Sequence, residues 1–264
     1  MNIFCHQLGA PKPEKMVFLH GFLGSGGDFS RLMGLLSSDY ACYAPDLPGH
    51  GCSLFKDSDV DEGLASMGDV AHLILEELSL QGVEEFVLYG YSMGGRIAQA
   101  MCLQAPTRIR HLFLESASFG IQDENDRKER YRKDGSLLEG LKTQADFRRF
   151  LEKWHRLPLF STLAQSPLLE DLIVSKQGND IRQLELALTL LSVGNQPWFA
   201  TALNRIDVPI SYFYGEQDHK YRSMAHDARK HIPRLTLKGF ADASHNIHLQ
   251  YLPEIVSALR DILA

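Results

Sequence analysis

Three residues far apart in this chain have the types and the order that chemistry at a serine hydroxyl needs. Ser92 lies in Gly90-Tyr91-Ser92-Met93-Gly94, directly after the apolar run Phe86-Val87-Leu88-Tyr89. That pattern reads as a strand entering a glycine-flanked turn, followed by a helix from about Gly95 and Arg96, with the hydroxyl exposed at the helix's positive end. A serine hydroxyl is a poor base and a poor nucleophile at neutral pH. It needs a histidine to take its proton, and the histidine needs a carboxylate to fix its tautomer and stabilise its cation. The expected chain order is serine, acid, histidine, with acid and histidine each just after a late strand. Asp218 meets this, following Ile210–Tyr214 through Gly215-Glu216-Gln217, and so does His245, in Ala243-Ser244-His245-Asn246.

Alone, the five-residue pattern also fits an ordinary tight turn, and the ordered acid and histidine decide for the triad. Glu216 lies nearer the strand end than Asp218, His219 reads as a loop residue, and His226 and His231 fall in a surface helix. His248, three residues past His245, points elsewhere if that loop enters a helix. His50, in Asp46-Leu47-Pro48-Gly49-His50-Gly51, precedes the serine and is out of order, which suits a structural hydrogen bond. Charge developing on a substrate oxygen requires two converging backbone N–H groups. Met93 supplies one and Phe22, in His20-Gly21-Phe22-Leu23-Gly24, the other. The neighbouring Gly24-Ser25-Gly26-Gly27 lacks the lysine and spacing of a nucleotide-binding loop.

Positioning these residues requires alternating elements. Strand-like apolar runs occur at Met16–Leu19, Tyr40–Ala44, Phe86–Tyr89, His111–Leu114, Ile210–Tyr214 and Leu235–Leu237. Helical periodicity runs over Met67–Leu80, with Val70, Ala71, Ile74, Leu75 and Leu78 on one face, and over Arg96–Gln104 and Pro253–Leu263. Strands alternating with helices imply an α/β fold with a mostly parallel central sheet covered on both faces. From about Phe119 to Ala202 the rhythm breaks into helical stretches only, at Asp123–Lys133, Gln144–His155 and Asp180–Leu191. The expected organisation is a core of residues 1–118 and 203–264 with a helical cap insertion, residues 119–202, over the carboxyl edge of the sheet, where open α/β folds bind ligands.

The 264 residues, 44% of them hydrophobic, suffice for one buried core, and 23% charged residues argue against disorder. A net charge of −6 without a long basic tract argues against nucleic acid as a partner. An anionic substrate therefore needs positive charge concentrated locally. Cys5, Cys42, Cys52 and Cys102 form no Cys-x-x-Cys pair and no zinc-like spacing with histidine. No leader-like segment opens the chain and no apolar run reaches membrane-spanning length, so the expectation is a cytoplasmic protein without membrane insertion.

Together, the His-Gly-Phe loop, the Asp-Leu-Pro-Gly-His-Gly turn, the serine turn, Asp218 and His245 resemble the α/β-hydrolase family over nearly the whole chain. That fold hosts many reactions. A narrower resemblance joins Gly90 to Ala98, Gln122 with Arg127 and Arg130, Trp154 with Pro158, Leu159 and Phe160, Gly215 to Arg222, and Ser244-His245-Asn246. These are similar to the 2-succinyl-6-hydroxy-2,4-cyclohexadiene-1-carboxylate synthases of menaquinone biosynthesis.

The resemblance implies a lyase that eliminates pyruvate from a cyclohexene polycarboxylate, with no cofactor and no metal. The triad would then remove a ring proton instead of attacking an ester. The implied substrate-binding residues are Tyr91, Arg96, Gln122, Arg127, Arg130, Trp154 and Lys176, the last standing where the family carries a third cap arginine. Ser244 replaces the family's glycine before the histidine. The residues alone leave alternatives open. Asp123/Arg127, Glu124/Lys128, Asp126/Arg130 and Glu129/Lys133 are acid-to-base pairs at i,i+4, as on a solvated helix. Trp154 could equally pack the cap, and Arg96 could lie on the surface. A small-molecule hydrolase of an ester, thioester or carbon–carbon bond, or a non-catalytic receptor, would use the same fold.

Overall fold

The computed structural model describes residues 1–56, 64 and 66–264. Among the described residues seven strands form one sheet: β1 (Cys5–Leu8), β2 (Lys15–Leu19), β3 (Ala41–Pro45), β4 (Phe86–Tyr91), β5 (Ile109–Glu115), β6 (Ile210–Gly215) and β7 (Thr236–Phe240). Their order is β1-β3-β2-β4-β5-β6-β7. Of these strands, β1 runs antiparallel to β3, and the other five pairings are parallel. Helices between them are α1 (Ser30–Leu36), α2 (Met67–Leu80) and α3 (Met93–Gln104). After β5 come α4 (Glu124–Gly135), α5 (Gln144–Trp154), α6 (Leu168–Lys176), α7 (Ile181–Leu190) and the short α8 (Ala200–Leu203). The chain closes with α9 (His219–His231), α10 (Ile247–Gln250) and α11 (Leu252–Leu263).

The strands are apolar on both sides because both faces are covered. Successive side chains alternate across a strand. Val17, Leu19, Leu88, Leu112, Leu114 and Tyr212 pack with α2 and α3 on one face. Met16, Phe18, Tyr89, Phe113 and Phe213 pack with α1 and α11 on the other. The buried face of α2 is Met67, Val70, Ala71, Ile74, Leu75 and Leu78, in keeping with its 3.6-residue period, and Ser66 caps it by accepting the Asp69 N–H.

Boundaries shift where caps decide them. Asp123 and Asp180 are N-caps of α4 and α7, outside the helices proper. Strand β1 was not legible as an apolar run, since Cys-His-Gln-Leu is a half-exposed edge. The last strand starts one residue after the expected Leu235 and extends to Phe240 through Lys238 and Gly239, whose polarity an edge position tolerates. His219 is not a loop residue but the first of α9.

Helix α3 starts at Met93, not near Gly95. Its first turn is admitted against the sheet because the glycines there lack side chains: a Cβ on Gly90 would lie 2.6 Å from the Gly95 Cα and 2.8 Å from the Ala98 Cβ. Among the described residues no helix is long and apolar enough to cross a membrane. Because that contact leaves no room for a methyl group, Gly90→Ala is expected to lower stability by about 1–3 kcal/mol, as overpacked cores do. Urea denaturation of the variant beside the parent protein measures it.

Candidate active site

Ser92 forms the joint between β4 and α3, with φ 50° and ψ −110°. This is an unfavourable backbone for a residue with a Cβ, costing roughly 1–3 kcal/mol. The Ser92 N–H donates to the Glu115 carbonyl at 2.9 Å, and the Ser92 carbonyl accepts from the Arg96 N–H at 3.2 Å. The turn is thus pinned from both sides, and the hydroxyl stands clear of the sheet.

The three residues ordered along the sequence meet in space. The Ser92 hydroxyl lies 3.0 Å from His245 Nε2, and His245 Nδ1 lies 2.7 Å from Asp218 Oδ2. Asp218 also accepts the Tyr221 N–H at 3.1 Å while capping α9, which turns its other oxygen toward the imidazole. An ionised carboxylate only accepts hydrogen bonds, so Nδ1 carries the proton and Nε2 is free to accept from the serine. Asp218 and His245 are both 2% exposed. The His245 ring lies against those of Tyr221, Tyr91 and Phe160, at 4.6, 5.3 and 5.5 Å.

A cavity of about 260 Å³ opens at this serine, between the carboxyl ends of the strands and the helical segment. Ser92, Met93, Phe22, Tyr91, His245, Arg96, Arg130 and Trp154 all line it. Met93, as the first residue of α3, has an N–H without an acceptor inside the helix. The Phe22 N–H donates to no backbone or side-chain acceptor among the described residues. Trp154 packs on Phe22 at 5.7 Å and on Phe150 at 5.8 Å, so it both lines the cavity and seats the helical segment on the core.

Arg96 is only 5% exposed and lies inward, not on the surface. Its Nη1 has no hydrogen-bond partner among the described residues. Burial lowers its guanidinium to about 10, so it remains cationic at neutral pH. Arg130 donates through Nε to Asp134 at 2.8 Å instead of pairing with Asp126. Asp134 is buried and also accepts the Ser192 hydroxyl at 2.8 Å, which draws the arginine into the cavity wall. The pairs Lys128–Glu124 (2.7 Å) and Lys133–Glu129 (3.2 Å) do form on the solvated side.

Three expected substrate contacts are not brought to this cavity. Gln122 is exposed ahead of the α4 cap, and Arg127 lies one turn nearer the start of α4 than Arg130. Lys176 turns into a small adjoining cavity of about 20 Å³ and pairs with Asp28 at 2.5 Å. Burial alone would raise the Asp28 carboxyl, but the lysine outweighs it and holds the pKa below the ordinary value. Conversely, Asp134, Lys220 and Tyr221 line the main cavity although the sequence assigns them no role. The Lys220-Tyr221 pair lies two and three residues after the triad acid, which was the available sequence signal.

The family model for the alpha/beta hydrolase fold matches residues 15–251. The chain belongs to the α/β-hydrolase fold family. It is 33% identical over 236 residues to a 2-succinyl-6-hydroxy-2,4-cyclohexadiene-1-carboxylate synthase of Yersinia enterocolitica, covering 88% of this chain and 80% of that protein. A synthase of the same name from Yersinia pseudotuberculosis is 31% identical over 257 residues, covering 94% and 89%. Among solved structures, MenH from S. aureus superposes with a TM-score of 0.88 at 25% identity, covering 99% of this chain and 97% of that one. A thermophilic esterase from Thermogutta terrifontis, at 18% identity and TM-score 0.81, covers 99% and 92% and shares the fold.

Behind the Phe22 loop, the buried His20 donates from Nδ1 to the Gly21 carbonyl and accepts the Leu47 N–H at Nε2, both at 2.8 Å. That arrangement requires a neutral ring, and burial with the neighbouring His50 takes His20 from 6.5 down to about 3. Burial likewise lowers His50 to about 4. Unfolded imidazoles bind protons near 6.5 while these folded ones do not, so stability is full above that pH and falls as pH drops toward the folded values. The loss is at most about 1.4 kcal/mol per pH unit for each histidine. Denaturation midpoints at about pH 7 and pH 5 are expected to fall with pH, and His20→Asn to make that slope shallower.

Proposed function

We propose that this protein is a carbon–oxygen lyase. It eliminates pyruvate from 2-succinyl-5-enolpyruvyl-6-hydroxy-3-cyclohexene-1-carboxylate to give 2-succinyl-6-hydroxy-2,4-cyclohexadiene-1-carboxylate, in menaquinone biosynthesis. One observation carries this reading: the cavity at the triad serine is lined by Arg96, Arg130 and Lys220, and its acidic lining residue, Asp134, is already engaged by Arg130 and Ser192. A simple ester needs no such charge, whereas a polycarboxylate does, and guanidinium forks match carboxylates bidentately. The synthase relatives agree with it. Residues 119–202 serve as a cap on a core of 1–118 and 203–264, and the protein acts in the cytoplasm on a soluble small molecule.

The chemistry follows from the positions of the reacting groups. The ring carbon bearing the succinyl group is acidic because its C–H lies beside a ketone. His245 takes the Ser92 proton, Asp218 stabilises the imidazolium, and the Ser92 alkoxide removes that ring proton. The C–H electron pair moves toward the ketone, and the Phe22 and Met93 N–H groups stabilise the enolate oxygen. Those electrons then return through the existing ring double bond and expel the enolpyruvyl oxygen from its carbon. The result is two conjugated double bonds and the enolate of pyruvate, which takes up the proton held by the triad. Arg96 and Arg130 bind carboxylates, with Tyr91 and Trp154 flanking the ring. Burial and the Glu115 charge keep the Tyr91 phenol well above its usual pKa, so it stays protonated.

A second reading, a small-molecule ester hydrolase, has the complete Ser92–His245–Asp218 chain in its favour. The two separate in one experiment that follows pyruvate release and diene absorbance with the polycarboxylate, beside hydrolysis of a small neutral ester. Ser92→Ala is expected to abolish pyruvate release while leaving the fold intact. Arg96→Ala is expected to reduce kcat/KM for the polycarboxylate about 10- to 100-fold, the worth of a charge-assisted hydrogen bond, and to spare any ester activity. Polycarboxylate turnover that ignores Arg96→Ala would count against the lyase.

A further inference from the structure

Glu115 closes β5 and is fully buried, although nothing in the proton transfer uses it. Its Oε2 accepts the Tyr89 hydroxyl at 2.6 Å, and its Oε1 accepts the Ile247 N–H at 2.6 Å and the His248 N–H at 3.1 Å. The His248 ring donates from Nδ1 to the same carboxylate, 3.0 Å from Oε1 and 2.9 Å from Oε2. Two of these partners are backbone N–H groups, which can only donate, and with the hydroxyl and the imidazole they engage both carboxyl oxygens. The backbone carbonyl of Glu115, meanwhile, receives the Ser92 N–H at 2.9 Å. A single residue therefore grips the serine turn with its main chain and the segment just after His245 with its side chain.

We infer that Glu115, acting with His248, is a positioning residue that sets the separation between Ser92 and His245. The opposite side of the histidine loop is held differently: the His245 N–H donates to the Leu159 carbonyl at 3.2 Å, and Ser244 Oγ lies 2.7 Å from Thr162 Oγ1. Both of those partners belong to the helical segment. On the sheet side the Ala243 carbonyl accepts the Gln217 N–H at 3.0 Å, which holds the start of the loop, while Glu115 holds the segment after His245 and reaches the same strand end that carries the serine. The His248 ring adds a second contact, lying 4.6 Å from the Tyr91 ring, which in turn flanks His245 at 5.3 Å. A carboxylate suits this place better than an amide. It accepts from the hydroxyl, two N–H groups and the imidazole at once, whereas a glutamine's nitrogen can only donate.

The inference rests on the triad reading but not on the substrate, so its test reads the triad directly. The rate of Ser92 labelling by a neutral fluorophosphonate is measured for the parent, Glu115→Gln and Tyr89→Phe, alongside kcat and KM for pyruvate release. Glu115→Gln is expected to slow labelling and kcat at least about tenfold, since small misplacements of reacting groups are costly, while KM stays within about twofold. Tyr89→Phe removes a donor that comes from β4 and not from the histidine loop, and is expected to lower stability yet label at the parent's rate.

If Glu115→Gln does not fold, His248→Leu and His248→Asn carry the test. The first is expected to slow labelling, and the second, whose amide nitrogen stands where Nδ1 does, to restore it. Parent-like labelling by a folded Glu115→Gln overturns the inference. So does equal slowing by Tyr89→Phe, or by His248→Asn and His248→Leu alike. A parent protein that does not label at Ser92 overturns the triad itself, and the inference with it.

Discussion

At Ser92 the backbone between β4 and α3 is strained, and the packing around it is arranged to hold that strain. A residue with a Cβ at φ 50° and ψ −110° persists only where its surroundings over-determine it. Here they do so through glycines that let α3 sit against β4, through the Glu115 carbonyl on the Ser92 N–H, and through two layers of apolar packing on the sheet. The strain has a chemical consequence. It lifts the hydroxyl out of the sheet, where His245 can reach it, and leaves Met93, whose N–H has no acceptor inside the helix, beside the cavity.

The charge pattern around that turn divides labour between the two sides of the cavity. The core supplies Ser92, His245, Asp218 and Arg96, whose buried Nη1 has no hydrogen-bond partner among the described residues and so is open to an anion. The helical segment supplies Arg130, held by Asp134, and Trp154, which packs against the Phe22 loop. Lys176 belongs to neither group, because Asp28 pairs with it in the small adjoining cavity, and its link is one between the helical segment and the glycine-rich loop of the core. A net negative protein thus presents a locally positive site, which is what a polyanionic substrate requires.

Much of the fold could be read because the buried parallel strands are continuous apolar runs and α2 carries an unbroken 3.6-residue stripe. The edges could not. Strand β1 is held by pairing with β3 and not by its own hydrophobicity, and β7 continues through Lys238 and Gly239 for the same reason. The site divides likewise. Ser92, Asp218 and His245 were legible because each stands at a strand end in a fixed order. Arg130 and Arg127 looked alike on a helix of i,i+4 pairs, and a buried Asp134 separated them.

Local pattern and chain order were enough for the alternating architecture, the serine–acid–histidine order and the direction in which to look for charge. Which cations face the serine depends on packing across the whole fold. Side chains from α3, α4 and α9 converge there across long chain separations, and Lys176 is withdrawn by a partner 148 residues away. The same packing brings Glu115 to the histidine loop, 133 residues on, where the strand end and the loop meet. Contacts of that range depend on how the sheet and its helices pack, and no local spacing encodes them.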